Sequence, residues 1–221
     1  MRCFAGLLLS ILVLSGCSSL EFEPKTGLPL VFSDDFENGR SRWEVTDESS
    51  WKHREMDGNK VFSVIKRKSE YAPKYRSPGH IALIKDLELS DFVLTYKVHG
   101  PFPENPGHRD SCAFFSYQNP DQFYYVHTGL KPDPHSGQIM IVNNAPRKAM
   151  TQNTNKTPWK ENIWHQVKVV RDSASGSIEI YFDDMEKPYM QVIDKTFGKG
   201  RLGIGTFDDI NNFDDVKVYG K

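Results

Sequence analysis

An all-β fold, a two-sheet antiparallel sandwich, is what the sequence predicts, and three observations predict it. Beyond residue 28 no window of eleven or more residues places apolar side chains at i, i+3, i+4 and i+7, so helix is a minor component. In its place stand short runs rich in Val, Ile, Phe and Tyr, broken by Gly, Pro, Asn and Asp. Ten such runs in about 190 residues need two packed layers rather than one open sheet.

The elements follow in chain order. Arg2 precedes an apolar run from Phe4 to Leu14, too short to cross a bilayer and of the length of a signal-peptide core. It ends in Leu14-Ser15-Gly16-Cys17, which resembles the bacterial lipobox, where a small residue before Cys permits cleavage and the thiol is acylated. Residues 1–16 are therefore expected to be a lipoprotein signal peptide. Residues 17–27, with Pro24, Lys25 and two Glu, are expected to be a tether lipidated at Cys17, palmitate included, and residues 28–221 the folded domain. With Cys3 removed and Cys17 acylated, Cys112 stands alone in an apolar run and is expected to be a buried, inert thiol.

The ten predicted strands are 61–65, 81–84, 92–98, 112–117, 123–127, 138–143, 164–171, 177–182, 202–207 and 215–219. In the run Ile178 to Asp183 the Ile, Ile and Phe fall on one face and Glu, Tyr and Asp on the other, as successive strand side chains must. Strands 164–171 and 177–182 flank a turn-forming Asp172-Ser173-Ala174-Ser175-Gly176 and form a hairpin.

The order of several pieces resembles the concanavalin A-like lectin/glucanase superfamily. Phe32 to Glu37 with Trp43 is similar to its opening, the 164–184 hairpin to its late hairpin, and Gly203-Ile204-Gly205 with Phe213 to Val218 to its closing strands. The resemblance implies a jelly roll of two curved sheets whose concave groove binds or cuts polysaccharide in many relatives. It also implies that the chain ends are neighbours, where several such domains hold calcium. Asp34, Asp35, Asp214 and Asp215 are the candidate ligands for a structural calcium ion, with turn-forming aspartates as the plainer reading. No cofactor is required.

Composition narrows the partners. Twenty-eight Lys and Arg against 29 Asp and Glu give a formal net charge of -1, which lacks the basic excess a nucleic-acid binder uses to displace counterions. The expected partners are a polysaccharide or oligosaccharide, and a membrane through the lipid anchor of a bacterial envelope, the outer one in a Gram-negative cell. Retaining glycoside hydrolysis needs carboxyl groups ~5–5.5 Å apart, whereas Glu179 and Asp183 lie ~13 Å apart along a strand. β-Elimination of an acidic glycan needs a base, an acid and a group covering the uronate carboxylate. Tyr125 and His127 are the candidate catalytic pair, with Arg109, His135, Asn143 and Arg147 as candidate substrate-binding residues. Core aromatics and ion pairs are the competing reading of the same residues. Trp51, Tyr71, Tyr75 and Trp159 are expected in loops, where a sugar face could stack on them, and Trp43 and Trp164 in the core. A binding module, a polysaccharide lyase or glycoside hydrolase, and a non-catalytic envelope scaffold holding a protein partner all remain open on these residues.

Overall fold

The computed structural model describes residues 27–101 and 109–221. Cys17 and all of the expected leader and tether except Gly27 lie outside the described residues. No helix among the described residues is long and apolar enough to cross a membrane.

The protein is an all-β, two-sheet antiparallel sandwich. Its strands in chain order are β1 (Leu30–Asp34), β2 (Trp43–Val45), β3 (Trp51–Met56), β4 (Asn59–Val64), β5 (His80–Leu89), β6 (Phe92–His99), β7 (Cys112–Asn119), β8 (Gln122–His127), β9 (Gln138–Asn143), β10 (Lys148–Ala149), β11 (Trp164–Asp172), β12 (Ser177–Phe182), β13 (Met190–Ile193), β14 (Gly200–Thr206) and β15 (Asn212–Gly220). The rear sheet runs β13-β12-β11-β6-β15-β4-β3, with β1 also paired to β15, and the front sheet runs β10-β9-β8-β7-β14-β5-β2. All ten predicted runs are strands. The other five were hidden by brevity, by edge positions or by charge.

The core lies between the sheets. Leu94, Val98, Val169, Ile178 and Phe213 of the rear sheet pack against Ile84, Phe115, Tyr124, Val126 and Ile204 of the front sheet. Trp43 sits there as expected, its Nε1 donating to Asp34 Oδ2 at 2.9 Å. Trp51 corrects the loop reading, since it is a buried β3 residue 4.5 Å from the Phe62 ring centroid. Trp164 corrects the core reading, being half-buried on β11 beside His99. The predicted hairpin forms with Asp172 opposite Ser177, its turn closed by Gly176 at φ 82°.

The outer faces differ. On the rear sheet the register brings Thr95, Lys168, Tyr181 and Lys217 onto one polar outer face. On the front sheet Ile81, Leu83, Phe114, Phe123, Tyr125, Met140 and Val142 form a second apolar cluster. An antiparallel sheet usually keeps one wet face. Here the face is covered by the segment 65–79, which loops out after β4 and returns at β5, with Tyr75 packed on the cluster.

Candidate functional site

The covering strap is pinned at both ends. Asp47 accepts hydrogen bonds from Ser49 N (3.0 Å), Ser49 Oγ (2.7 Å), Ser50 Oγ (2.5 Å) and, across the strap, Glu70 N (2.9 Å). Burial opposes its ionisation, but these donors hold the carboxyl well below the usual range. At the far side Arg147 N donates to Arg76 O at 3.2 Å, and Lys74 reaches Asp121 at 3.9 Å. Gly79 lets the strap's ends meet, since a Cβ there would lie 2.9 Å from Ser69 Cβ.

Beneath the strap's second half the sequence candidates His127, Tyr125 and Arg147 come together. His127 Nδ1 lies 3.0 Å from the His135 carbonyl oxygen, and Arg147 Nη2 reaches the same oxygen at 3.4 Å. The side chain of His135 itself is exposed, so only its backbone belongs to the group. His127 Nε2 lies 3.3 Å from Asp110 Oδ2, off the line of a hydrogen bond, so the contact is one of charge. A nitrogen facing a carbonyl must carry a proton, and the carboxylate favours a second. Burial disfavours the imidazolium, yet Asp110 outweighs it and the His127 pKa is raised. Asp110 in turn accepts from Thr206 Oγ1 and from Phe207 N at 2.9 Å, and despite its burial it is held ionised chiefly by His127. Tyr125 is fully buried, its hydroxyl without a partner among the described residues, and burial pushes its pKa well up.

The other candidates are elsewhere. Arg109 is buried with Nη1 donating to Gly100 O (2.9 Å) and Pro101 O (3.1 Å) and its guanidinium 6.0 Å from the Trp159 ring, an arrangement that braces a chain turn. Asn143 is exposed at the opposite end of β9, five residues along the strands from the His127 pair, or ~16 Å. Asp34 Oδ1 caps Phe36 N and Asp35 Oδ1 caps Glu37 N. Asp214 accepts from Asn59 Nδ2 at 2.7 Å and Asp215 pairs with Lys97. Among the described residues no three His, Cys, Asp or Glu side chains gather as a metal-ligand set. Glu179 accepts from Tyr181 OH at 2.7 Å, and Asp183 holds His165 at 2.8 Å. Cys112 is buried, and burial pushes its thiol pKa up.

An open cleft of about 340 Å³ lies on the front face where the strap leaves it bare. Ile81, Leu83 and Tyr117 form an apolar floor, Tyr71 of the strap is one wall, and Gln118, Asn119 and Arg201 rim it. Arg201 is tied to Glu44 at 2.8 Å. The same rim opens into a second hollow of about 630 Å³, where Gln118 and Asn119 meet Gln122, Asn143 and the 196–198 loop. An apolar floor with a few fixed polar groups is the usual make-up of a small-ligand site. Of these residues, Tyr71 and Asn143 are the ones the sequence marks as candidate sugar contacts.

No protein-family profile matches the chain, and no curated protein matches it. Many solved structures do match in shape. The carbohydrate-binding module CBM66 from Bacillus subtilis superposes with a TM-score of 0.57 at 16% identity, over 82% of this chain and 97% of that one. The winged bean acidic lectin complexed with methyl-α-D-galactose gives 0.54 at 14% identity, over 85% and 96%. Domain 4 of AbnA, an extracellular GH43 arabinanase from Geobacillus stearothermophilus, in complex with arabinotriose, gives 0.53 at 8% identity, over 87% and 93%. At these identities the likeness establishes the fold, a jelly roll of the lectin type.

Proposed function

We propose that the protein is an envelope-anchored lipoprotein that binds an oligosaccharide or polysaccharide in the front-sheet cleft, without cutting it. The observation that carries the reading is the cleft itself. Tyr71 offers a half-exposed ring above a floor that includes the buried Tyr117, while Gln118, Asn119 and the Arg201–Glu44 pair offer donors and acceptors matched to hydroxyl groups. The neighbours in shape include sugar-binding modules and a lectin, which supports the same class of ligand. Binding is favoured over cleavage because Tyr125 and His127 lie under the strap, and neither offers a free base in this packing. The lipobox-like Cys17 is the basis for the anchor.

Calorimetric titration of the protein with neutral and acidic glycans tests the reading. A saturable heat, weakened about tenfold by Tyr71→Ala, is the expected result. Release of unsaturated or reducing ends would replace binding by catalysis. Silence toward every glycan, with a protein partner recovered instead, would favour an envelope scaffold. Labelling of the expressed chain by a palmitate analogue, abolished in Cys17→Ser, tests the anchor.

A further inference from the structure

Beyond the cleft, past the end of β14, two guanidinium groups share one aromatic ring. Arg147 lies 4.3 Å from the Phe207 ring centroid and Arg76 lies 5.5 Å from it, while the His127 ring stacks on Phe207 at 5.7 Å. Neither arginine takes part in an ion pair among the described residues. The nearby carboxylates are engaged otherwise: Asp110 serves His127, Thr206 and the Phe207 amide, and Asp209 pairs with Arg67 at 3.6 Å. Asp208 gives its amide to Asp110 at 3.4 Å, and burial together with the neighbouring Asp110 carboxylate raises its own pKa.

Arg147 Nε and Nη1 are shielded from water and have no hydrogen-bond partner among the described residues. The fully buried Tyr125 hydroxyl, on the same sheet face through the Tyr125, Met140 and Ala149 pairing, likewise has no partner among the described residues. Like charges gathered on one ring with unsatisfied donors are unfavourable unless an anion completes them. The hydrogen bond from Arg147 N to Arg76 O fixes the two segments side by side, so the fold itself brings the two arginines to one place.

We propose that Arg147 and Arg76, laid over Phe207, are a subsite for the anionic group of an acidic sugar, a uronate carboxylate or a sulfate ester. The guanidinium of Arg147 swings off the ring to meet the anion, and its planar set of donors suits either group. The proposal rests on the glycan reading for what carries the charge.

The test is titration of the protein with oligogalacturonate and with its carboxyl-reduced counterpart, repeated for Arg147→Gln, Arg76→Gln and Arg147→Lys, with thermal unfolding to confirm that each variant folds. The charged oligomer is expected to bind about tenfold tighter than the reduced one. Either Gln variant should erase most of that preference, and Arg147→Lys should retain part of it. Equal affinity for the two oligomers, or an unchanged preference in Arg147→Gln, overturns the subsite while leaving glycan binding intact. If neither oligomer binds, the glycan reading fails and the subsite is judged separately, by the Arg147 Nε–H resonance under sodium glucuronate and sodium sulfate. A saturable shift supports an anion site and distinguishes carboxylate from sulfate, and no shift with either overturns it.

Discussion

Asp47 holds the strap by replacing water with four backbone and hydroxyl donors, three from Ser49 and Ser50 of its own 3₁₀ turn and one from Glu70 across a gap of 23 residues. Asp47→Ala should cost about 2 kcal/mol, the loss of a cap plus an unsatisfied amide, and should open the segment 66–79 to limited proteolysis before the rest of the chain. Because the folded-state pKa is depressed, this contribution is complete above the ordinary carboxylate range and fades as pH falls through it. Asp214 behaves oppositely. Burial first, and then the charge of Asp215, raise its pKa to about 6 against the donors Asn59 and Asp215 N. The folded chain therefore holds a proton there that the unfolded chain has lost, and stability falls as pH climbs from about 4 to about 6. Asp214→Asn should flatten that fall, read as thermal midpoints at pH 4.5 and 7.5 with chelator present so that no bound cation contributes. An undiminished slope would place the proton elsewhere.

At the scale of the element, β14 shows why glycine stands in a central strand. Gly203 and Gly205 lie between outer-face residues of β5 and β7, opposite Leu83 and Phe114 and opposite Ile81 and Cys112. A Cβ at Gly205 would meet the His80 carbonyl oxygen at 2.0 Å, backbone that cannot swing aside. Gly205→Ala should thus cost about 3 kcal/mol in denaturant unfolding, whereas Gly198→Ala, with nothing within 4 Å, should stay within about 0.5 kcal/mol. Strand legibility followed burial. Runs buried on both faces, such as Cys112 to Tyr117 and Phe123 to His127, read as continuous apolar stretches, and that continuity was already the sign that the front sheet's outer face is covered. The strand β3 (WKHREM) escaped because Trp51 is its one buried residue and four polar or charged residues follow it, and β10 is two residues long. β5 continues past Ile84 through Lys85 and Asp86, where Asp86 at φ 55° accompanies a register shift against β14, so its charged half carries no strand pattern.

At the scale of the molecule, the cleft is assembled from separate stretches around Thr46, Tyr71, Ile81, Tyr117 and Arg201, and no local spacing in the sequence announces it. The grouping of His127, Tyr125 and Arg147 was legible because β8 and β9 are consecutive and pair in register. Arg109 and Asn143 were misjoined to it because alternation gives a face but not a position along the strand. The same dependence on long-range closure governs stability. Arg171 of the rear sheet is buried and donates to Gly176 O (2.8 Å), Asp194 O (2.9 Å) and Phe197 O (3.0 Å), with its guanidinium 5.5 Å from the Tyr124 ring of the front sheet. Tyr124 closes the circuit by donating to Asp194 and accepting from Phe197 N at 2.9 Å. One guanidinium thus ties a hairpin turn, the segment leaving β13 and the facing sheet at the same end of the sandwich. Replacing it by Met keeps the volume but strips three carbonyls of their donor, an expected loss of about 3 kcal/mol in denaturant unfolding. Tyr124→Phe should cost about 1 kcal/mol alone, and less in the Arg171→Met background, because residues of one network do not add. Additive losses would mean that the two side chains stabilise the sandwich separately and that its open end is held by apolar packing around Phe197 instead.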